Sequence, residues 1–165
     1  RLVPFMDITE DDMLAGYRRG LFPMSYWGLM YQWWSPDPRG VLPLGNLRIA
    51  RSLRKSIRKY RTSFDTDFAA VVAACSDPDR PGGWIDPGLE KAYLDLHERG
   101  LAHSVETRNA SGTLVGGLFG VNIGGFFAGE SRFHTAADAS KAALVSLVDR
   151  LGAAASREAV RPAPR

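Results

Sequence analysis

The chain has 165 residues, of which 45% are hydrophobic and 24% charged, and its formal net charge is +3. This length suits one domain, or one domain with a small second unit, and no apolar run approaches the roughly 18 residues that would cross a membrane. A single cysteine, Cys75, excludes an internal disulfide framework, and three scattered histidines show no zinc-type spacing, so we expect a cytoplasmic protein without a metal site or a membrane partner.

The first predicted element is a helix within residues 7–20 (DITEDDMLAGYRRG). Thr9 suits the N-cap, Asp12 completes a capping box with it, and Gly20 suits the C-terminal stop. Residues 21–44 contain too many aromatic residues and prolines for a helix interior. We expect extended, irregular chain there, with edge strands and turns.

Residues 51–61 (RSLRKSIRKYR) contain six cations and no acid, with Leu53, Ile57 and Tyr60 at helical spacing. We predict a basic helix with a narrow apolar stripe. Such a helix can be a solvated surface or a phosphate-binding surface, and the absence of any acid favours nucleic acid. The six cations are Arg51, Arg54, Lys55, Arg58, Lys59 and Arg61.

The second half of the chain predicts helices at residues 67–77 and 84–100, then three strands in AHSVETR, TLVGGLFGV and FFAGESRF, and a last helix at residues 138–151. Turn signals (NASG and NIGG) separate the strands and indicate an antiparallel meander. Helices followed by a meander and another helix indicate an α+β fold. A weak boundary divides an aromatic and basic N-terminal unit, residues 1–62, from a more regular unit, residues 63–151, and an Ala/Arg/Pro-rich tail follows at residues 152–165.

The four tryptophans lie in loop-like contexts, at Trp27, Trp33, Trp34 and Trp84. Each can be a core anchor or a flat surface on which a base stacks. Two adjacent glycines, Gly116–Gly117, would weaken a strand unless a bulge or the close approach of another molecule explains them. We find neither the GxxxxGK[ST] phosphate loop of P-loop NTPases nor the pyrophosphate loop of acetyltransferases, so ATP and acetyl-CoA are not expected as cofactors.

The stretch GGFFAGESRF, residues 124–133, places Glu130 directly after an apolar run. A lone buried carboxylate is costly. The stretch is therefore either a strand that reaches the surface or the wall of an apolar pocket with one charged group at its mouth.

Six segments resemble consecutive signatures of the bacterial leucyl/phenylalanyl-tRNA-protein transferase family, in order from about Ala15 to Leu151. The tandem tryptophans of WWSPDPR and the GESxF element are the most specific of them. The segments are AGYRRGLFPM, WWSPDPRGVLPL, RSLRKSIRK, GGWIDPGLEKAYLDLHERGLAHSVE, LVGGLFGVNIGGFFAGESRF and ASKAALVSL.

The resemblance implies a cytoplasmic enzyme of the N-degron pathway. It would move leucine or phenylalanine from aminoacyl-tRNA to proteins with an N-terminal Arg or Lys and mark them for degradation. It also implies a small N-terminal domain joined to an acetyltransferase-like (GNAT-like) domain, with no cofactor. We expect a monomer.

The resemblance also implies roles for single residues. Glu130 would hold the cationic N-terminal residue of the acceptor, as the catalytic residue. Trp34 and Trp84 would contact the aminoacyl-adenosine end of the donor, and Leu118 and Phe127 would line the pocket for its side chain. The six cations of residues 51–61 would bind the phosphates of the acceptor stem.

The chain departs from the family pattern after its last predicted helix. The family continues past the ASKAALVSL helix into a strand with an Asp-x-Gln element, whereas no Asp or Gln follows Asp149 here. We therefore expect an incomplete acetyltransferase-like domain. The alternative is a catalytically silent remnant that still binds tRNA.

Overall fold

The computed structural model describes residues 3–4, 8–26, 30–80 and 83–159. The helices within these ranges are α1 (Glu10–Arg18), α2 (Arg51–Ile57), α3 (Phe68–Ser76), α4 (Pro87–Glu98) and α5 (Ala139–Ala159), with a 3-10 turn at Leu44–Asn46. The strands are β1 (Val3–Pro4), β2 (Phe22–Tyr26), β3 (Met30–Trp34), β4 (Arg61–Phe64), β5 (Ala102–Arg108), β6 (Leu114–Ile123) and β7 (Phe126–His134).

The strands form two antiparallel sheets, a small one in the order β1-β3-β2 and a larger one in the order β4-β5-β6-β7. The predicted α+β fold, with an antiparallel meander flanked by helices, is confirmed. The boundary expected after residue 62 falls inside β4, and the one expected after residue 151 falls inside α5. The division into domains stays a prediction.

The start of α1 is the local feature that the sequence predicts best. Asp12 N–H donates to the Thr9 hydroxyl at 3.2 Å, and Thr9 N–H donates to the Asp12 carboxylate at 3.1 Å. Both halves of the capping box are therefore present, and they satisfy backbone donors that a helix start leaves unpaired. Gly20, at φ +73°, follows the helix in the left-handed conformation.

The predicted basic helix over residues 51–61 is wrong in its second half. The helix α2 ends at Ile57, and Arg61 already belongs to β4, where it pairs with Arg108 of β5. Pairing with β5 overrides helix propensity because it adds a strand to the edge of the larger sheet. The four residues of β4 contain a single apolar side chain, Phe64, so no strand pattern was visible in the sequence.

The last helix is longer than the sequence predicted. It continues to Ala159 rather than ending near residue 151, which is consistent with the high helix propensity of the alanines at 153–155. The first part of the predicted tail is therefore helical, and residues 160–165 lie outside the described residues. Neither α5 nor any other helix in the described ranges is long and apolar enough to cross a membrane.

The larger sheet is covered on both faces. Phe119 of β6 packs with residues of α1, α3 and α4, whereas the adjacent Leu118 packs with Val105, Ala143 and Leu147 on the α5 side. This alternation is what an extended strand buried on both faces produces. The sheet therefore separates a large core from a smaller one.

Close approaches explain the adjacent glycines of β6. A Cβ on Gly116 would lie 2.6 Å from Ala139 Cβ at the start of α5, and one on Gly117 would lie 2.9 Å from the Val105 carbonyl oxygen. Both close neighbours belong to the same chain. The pair of glycines therefore needs no second molecule to explain it.

The small sheet packs against α1 and α4. A Cβ on Gly16 of α1 would overlap the ring of Trp33, and the Tyr31 hydroxyl donates to the Asp86 carboxylate at 3.2 Å, beside the start of α4. Through these contacts, β3 is positioned against the helices that form the candidate site.

A buried carboxylate, Glu106, joins β4, β5 and the start of α3. One carboxylate oxygen accepts from the Ser63 hydroxyl at 2.7 Å and from the Thr66 hydroxyl at 2.8 Å, while the other accepts from the Ser104 hydroxyl. Burial alone would raise the pKa of Glu106, but these hydrogen bonds lower it below its ordinary value. Nothing in the sequence analysis singled this residue out.

We predict that Glu106→Ala lowers the free energy of unfolding by about 2 to 4 kcal/mol, because three hydroxyl groups lose their acceptor and a cavity forms. Urea denaturation at pH 7 measures this. Glu98→Ala, at an exposed position on α4, is the matched control and should change the value by no more than about 0.5 kcal/mol.

A second substitution at Glu106 has a predicted effect on the pH dependence of stability. Since the folded pKa of Glu106 lies below the unfolded one, its stabilisation is complete above the unfolded pKa and is lost as the pH falls through the folded pKa. Glu106→Gln should therefore reduce the acid sensitivity of unfolding. Equal acid sensitivity in the wild type and the variant would contradict the assignment.

Candidate active site

Glu130 occupies an irregular position in β7. Phe119 of β6 pairs with Ser131, but the next residue, Gly120, pairs with Gly129, so Glu130 is an extra residue without a cross-strand partner. This is a β-bulge. Ala128 and Phe133 both pack in the core with α3 and α4. They are five positions apart, and in a regular strand residues an odd number of positions apart point to opposite faces of the sheet.

Two tyrosines from the helical layer meet the bulged residue. The Tyr93 hydroxyl of α4 donates to Glu130 Oε2 at 2.8 Å, and the hydroxyls of Tyr93 and Tyr17 lie 3.2 Å apart. Tyr93 is fully buried and Tyr17 nearly so. The carboxylate is therefore held by side chains from α1 and α4.

Burial raises the pKa of Glu130 from its ordinary value to about 7. Hydrogen bonds from Tyr93 and Tyr17 and the charge of Arg39 act in the opposite direction, because they favour the ionised form. Burial also raises the pKa of both tyrosines well above 10, and the nearby Glu130 charge adds to this. Near neutral pH the carboxyl can therefore exchange a proton while the tyrosines remain donors.

Arg39 joins the small sheet to β7 beside this group. Its guanidinium lies over the rings of Phe22 and Phe126, at 5.7 and 5.5 Å from the ring centroids, and it donates to the Gly20 carbonyl at 2.7 Å. Arg39 also lines a cavity of about 660 Å³ that extends along β7, with apolar walls from Phe126, Phe127 and α5.

The structure separates the predicted aromatic residues. Trp84 is partly buried and meets the Tyr93 ring edge-on, with centroids 6.4 Å apart, so it belongs to the Glu130 group. Trp34 is 46% exposed at the end of β3. Trp33 packs on Gly16, as a core anchor would. Trp27 lies outside the described residues.

The two predicted pocket residues, Leu118 and Phe127, belong to one apolar cluster but differ in their exposure to the cavity. Leu118 is 5% exposed and packs beneath α5, whereas Phe127 is partly buried beside it. Phe127 lines the large cavity, and Leu118 does not contribute to its lining. Leu118 therefore supports the wall that Phe127 presents.

All six predicted tRNA-binding cations are exposed. Within the described part of the chain, none of them makes an ion pair shorter than 4.0 Å. Three of them lie on α2 and Arg58 directly follows it. Lys59 lies between α2 and β4, and Arg61 is the first residue of β4. The three on α2 are Arg51, Arg54 and Lys55. The described residues contain no group of three or more side chains suited to a metal ion.

Comparisons with known proteins identify the family of this chain. Residues 41–157 match the leucyl/phenylalanyl-tRNA protein transferase family, and residues 6–37 match the N-terminal domain of that family. The chain belongs to this family. It is 54% identical over 150 residues to a leucyl/phenylalanyl-tRNA–protein transferase of Aromatoleum aromaticum, covering 87% of this chain and 63% of that protein.

Other relatives of the same name are similarly close. The chain is 48% identical to the proteins of Azotobacter vinelandii and Pseudomonas putida, in both cases over 149 residues that cover 88% of this chain and 66% of the relative. The chain thus spans slightly less than two thirds of the length of these transferases.

Sequence reasoning missed three members of the group around Glu130. Tyr93 lies at helical spacing among the buried residues of α4, and its hydroxyl ends at a carboxylate. Tyr17 lies on the buried face of α1, and Arg39 follows the SPDP turn. A buried tyrosine usually has a hydrogen-bond partner, and this rule could have predicted a polar partner for Tyr93 and Tyr17 from the sequence.

We predict that Tyr93→Phe raises the pKa of Glu130 above about 7, because the substitution removes a hydrogen bond that favours the ionised carboxylate. A ¹³C NMR titration of the Glu130 side-chain carboxyl measures the change. Arg39→Met should shift the pKa in the same direction by removing a nearby positive charge.

Tyr60→Phe is the matched control, since the Tyr60 hydroxyl donates to the Ala137 carbonyl and not to Glu130. It should leave the titration of Glu130 unchanged. A lower pKa in Tyr93→Phe, or an equal change in both tyrosine variants, would contradict the prediction.

Proposed function

We propose that this chain transfers leucine or phenylalanine from aminoacyl-tRNA to the N-terminal amino group of proteins that begin with Arg or Lys. It would act as a monomer in the cytoplasm and mark those proteins for degradation through the N-degron pathway. The observation that carries the proposal is Glu130, a carboxyl with a pKa of about 7 next to the residues that line a cavity of about 660 Å³. Family membership supports the class of reaction.

In this proposal Glu130 binds the amino group of the acceptor protein and takes a proton from it. Its ionised form attracts the cationic N-terminus, and its raised pKa suits exchange with an α-amino group, whose pKa is about 7.7 to 8.0. The neutral fraction of the α-amino group is the nucleophile. Its nitrogen attacks the ester carbonyl carbon and then gives up one proton to the ionised Glu130. The ester C–O bond then breaks, an amide bond forms, and the ribose oxygen takes the proton. Because the ester is already activated, the step needs no ATP.

The large cavity would hold the donor. Phe127, backed by Leu118, would form the wall for the leucyl or phenylalanyl side chain. Trp84 and Trp34 would offer ring surfaces to the aminoacyl-adenosine. A pocket of this kind should reject β-branched or short side chains only modestly, because one methylene changes binding by only about 1 to 3 kcal/mol.

The six exposed cations would bind phosphates of the acceptor stem. The segment that contains them is fixed to α5 and to the residues just before it. The Tyr60 hydroxyl donates to the carbonyl of Ala137, two residues before α5, at 2.6 Å, and the Thr62 hydroxyl lies 2.8 Å from the Ser146 hydroxyl of α5. A basic surface held in place on the fold can bind phosphates without first losing conformational entropy. Each phosphate it neutralises releases counterions and increases the salt dependence of binding.

We predict that Arg54→Gln/Arg58→Gln reduces the slope of log K against log salt concentration for tRNA binding by roughly 1.5 to 2, because two phosphate contacts are lost. Filter binding between low and moderate salt concentrations measures the slope. Arg18→Gln/Arg19→Gln, at the exposed end of α1, is the control of equal charge. A control that changes the slope as much as the α2 variant would assign the effect to net charge alone.

We predict that Glu130→Gln lowers transfer of labelled leucine from leucyl-tRNA to an Arg-starting protein by about 10²- to 10⁴-fold, as expected for loss of a general base. Acid-precipitable label in the acceptor measures transfer, and tRNA binding is measured in parallel. Glu98→Gln, on the exposed end of α4, should leave both unchanged.

An Ala-starting acceptor is the second control and should receive little label. Binding of tRNA with no transfer by the wild-type chain would support the alternative, a silent tRNA-binding member of the family. The exposed cations of α2, which form no ion pair with any residue that the structure describes, are the observation that favours that alternative. An unchanged transfer rate in Glu130→Gln would overturn the role of this residue.

A further inference from the structure

Arg80, which follows α3, lies close in the chain to Trp84 and close in space to the residues after Glu130. It comes four positions before Trp84, and its side chain contacts β7 two positions after Glu130. Arg80 does not contribute to the lining of the large cavity. Any effect of Arg80 on the transfer reaction must therefore act through other residues.

The guanidinium of Arg80 joins α3 to β7. Its Nη1 donates to the Cys75 carbonyl near the end of α3 at 2.9 Å, and its Nη2 donates to the Arg132 carbonyl of β7 at 2.8 Å. The last carbonyls of a helix have no partner within the helix, and a planar guanidinium donates in fixed directions. One side chain therefore fixes the end of α3 against the strand that carries Glu130.

A second contact joins the same two elements. Burial raises the pKa of the Cys75 thiol, whereas a hydrogen bond with the Ser131 hydroxyl and the charge of Arg80 act in the opposite direction. Ser131 directly follows the bulged Glu130, and Arg132 comes next. Both residues after the bulge are therefore attached to the end of α3.

The backbone of Arg80 holds the chain that leads to Trp84. The Arg80 N–H donates to the Asp77 carbonyl at 3.1 Å, and the Gly83 N–H donates to the Arg80 carbonyl at 3.2 Å. Trp84 is the next residue after Gly83. Backbone and side chain of Arg80 thus fix the chain on both sides of the site, at Trp84 and at Glu130.

Arg80 reaches β7 through a backbone carbonyl and not through the Glu130 carboxylate. The side chains that act on the pKa of Glu130, besides its burial, are Tyr93, Tyr17 and Arg39. They come from α4, from α1 and from the segment after β3. Arg80 therefore acts on Glu130 by fixing the position of the strand, whereas Arg39 acts by its charge.

We propose that Arg80 is a positioning residue of the transfer reaction, which sets Glu130 and Trp84 at the separation that the acceptor amine and the donor ester require. This inference rests on the proposed function. The contacts with the substrates belong to Glu130 and Trp84, and Arg80 holds the backbone beside each of them. Such positioning has a large effect, because a displacement of about 1 Å in a reacting group can lower the rate about 10²-fold.

Arg80→Met should lower kcat for transfer of leucine from leucyl-tRNA by about 10- to 100-fold. The Kd for uncharged tRNA should change by less than about threefold, because phosphate contacts dominate that affinity. Arg132→Met is the matched control: it removes an exposed guanidinium beside the same bulge but keeps the backbone carbonyl that Arg80 binds. It should change kcat by less than about twofold. An equal loss in the two variants would assign the effect to charge and overturn the proposal.

A ¹³C NMR titration of the Glu130 carboxyl separates position from charge. Because burial is the main cause of the raised pKa, release of the strand in Arg80→Met should lower the pKa of Glu130 from about 7 towards its ordinary value. Loss of a nearby positive charge alone would raise this pKa instead. An unchanged or higher pKa of Glu130 would therefore overturn the proposal.

The indole N–H signal of Trp84 in ¹⁵N-labelled protein tests the other contact of Arg80. This signal should shift in Arg80→Met, whereas the signal of Trp33, which packs on Gly16 of α1, should not. A shift of both signals would indicate a general change of structure, and a shift of neither would show that Arg80 does not position Trp84. Either result would contradict the proposal.

Arg80→Lys keeps the charge but loses the two-nitrogen geometry of the guanidinium, so it tests the proposal even where Arg80→Met fails to fold. It should also lower the pKa of Glu130, and an unchanged pKa would overturn the proposal. The two NMR measurements need no tRNA. A wild-type chain that transfers no leucine would contradict the proposed function, and these measurements would still decide whether Arg80 positions Glu130 and Trp84.

Discussion

The hydrogen bond from Tyr93 to Glu130 joins the helical layer to the larger sheet at the position where the ladder of β7 is irregular. In a regular strand only one of two consecutive side chains can face α3 and α4, whereas the bulge lets both Glu130 and Ser131 approach these helices. Around this bond the chain arranges Tyr17, Trp84 and Arg39, which come from three separate segments. The electrostatic character of the site follows from this bond, because desolvation of the partly buried carboxyl favours its neutral form while two tyrosine donors favour its ionised form.

The helix α5 forms one wall of the large cavity. Leu147, Leu151 and Ala154 contribute to its lining, as do Asn122 and Phe127 from the sheet. Leu147 also packs with Ala143 against Leu118 of β6. The same helix therefore covers the sheet and lines the cavity, because residues at a spacing of three or four lie on one helix face.

The sequence predicted features that depend on neighbouring residues and missed those that depend on distant ones. The capping box at Thr9 and the turns of the meander are local, and the structure contains them. The sequence did not predict β4, which begins at the last residue of the basic run. This segment is extended because it pairs with β5, about 40 residues later. Glu106 sits in an apparently ordinary strand, and its three hydroxyl donors become visible only when β4 and β5 pair. Glu130 itself was singled out, but its tyrosine partners were not, since apolar spacing counts an aromatic ring and ignores its hydroxyl.

The bulge also has an evolutionary consequence. Because Glu130 is an inserted position in the ladder, removal of that one residue would restore regular alternation, and Ala128, Ser131 and Phe133 would all keep their present face of the sheet. Most strand residues cannot be deleted without turning every later side chain to the opposite face. The acid is thus separable from the architecture that carries it. A lineage could gain or lose the charged group by a single codon insertion or deletion and keep the same scaffold.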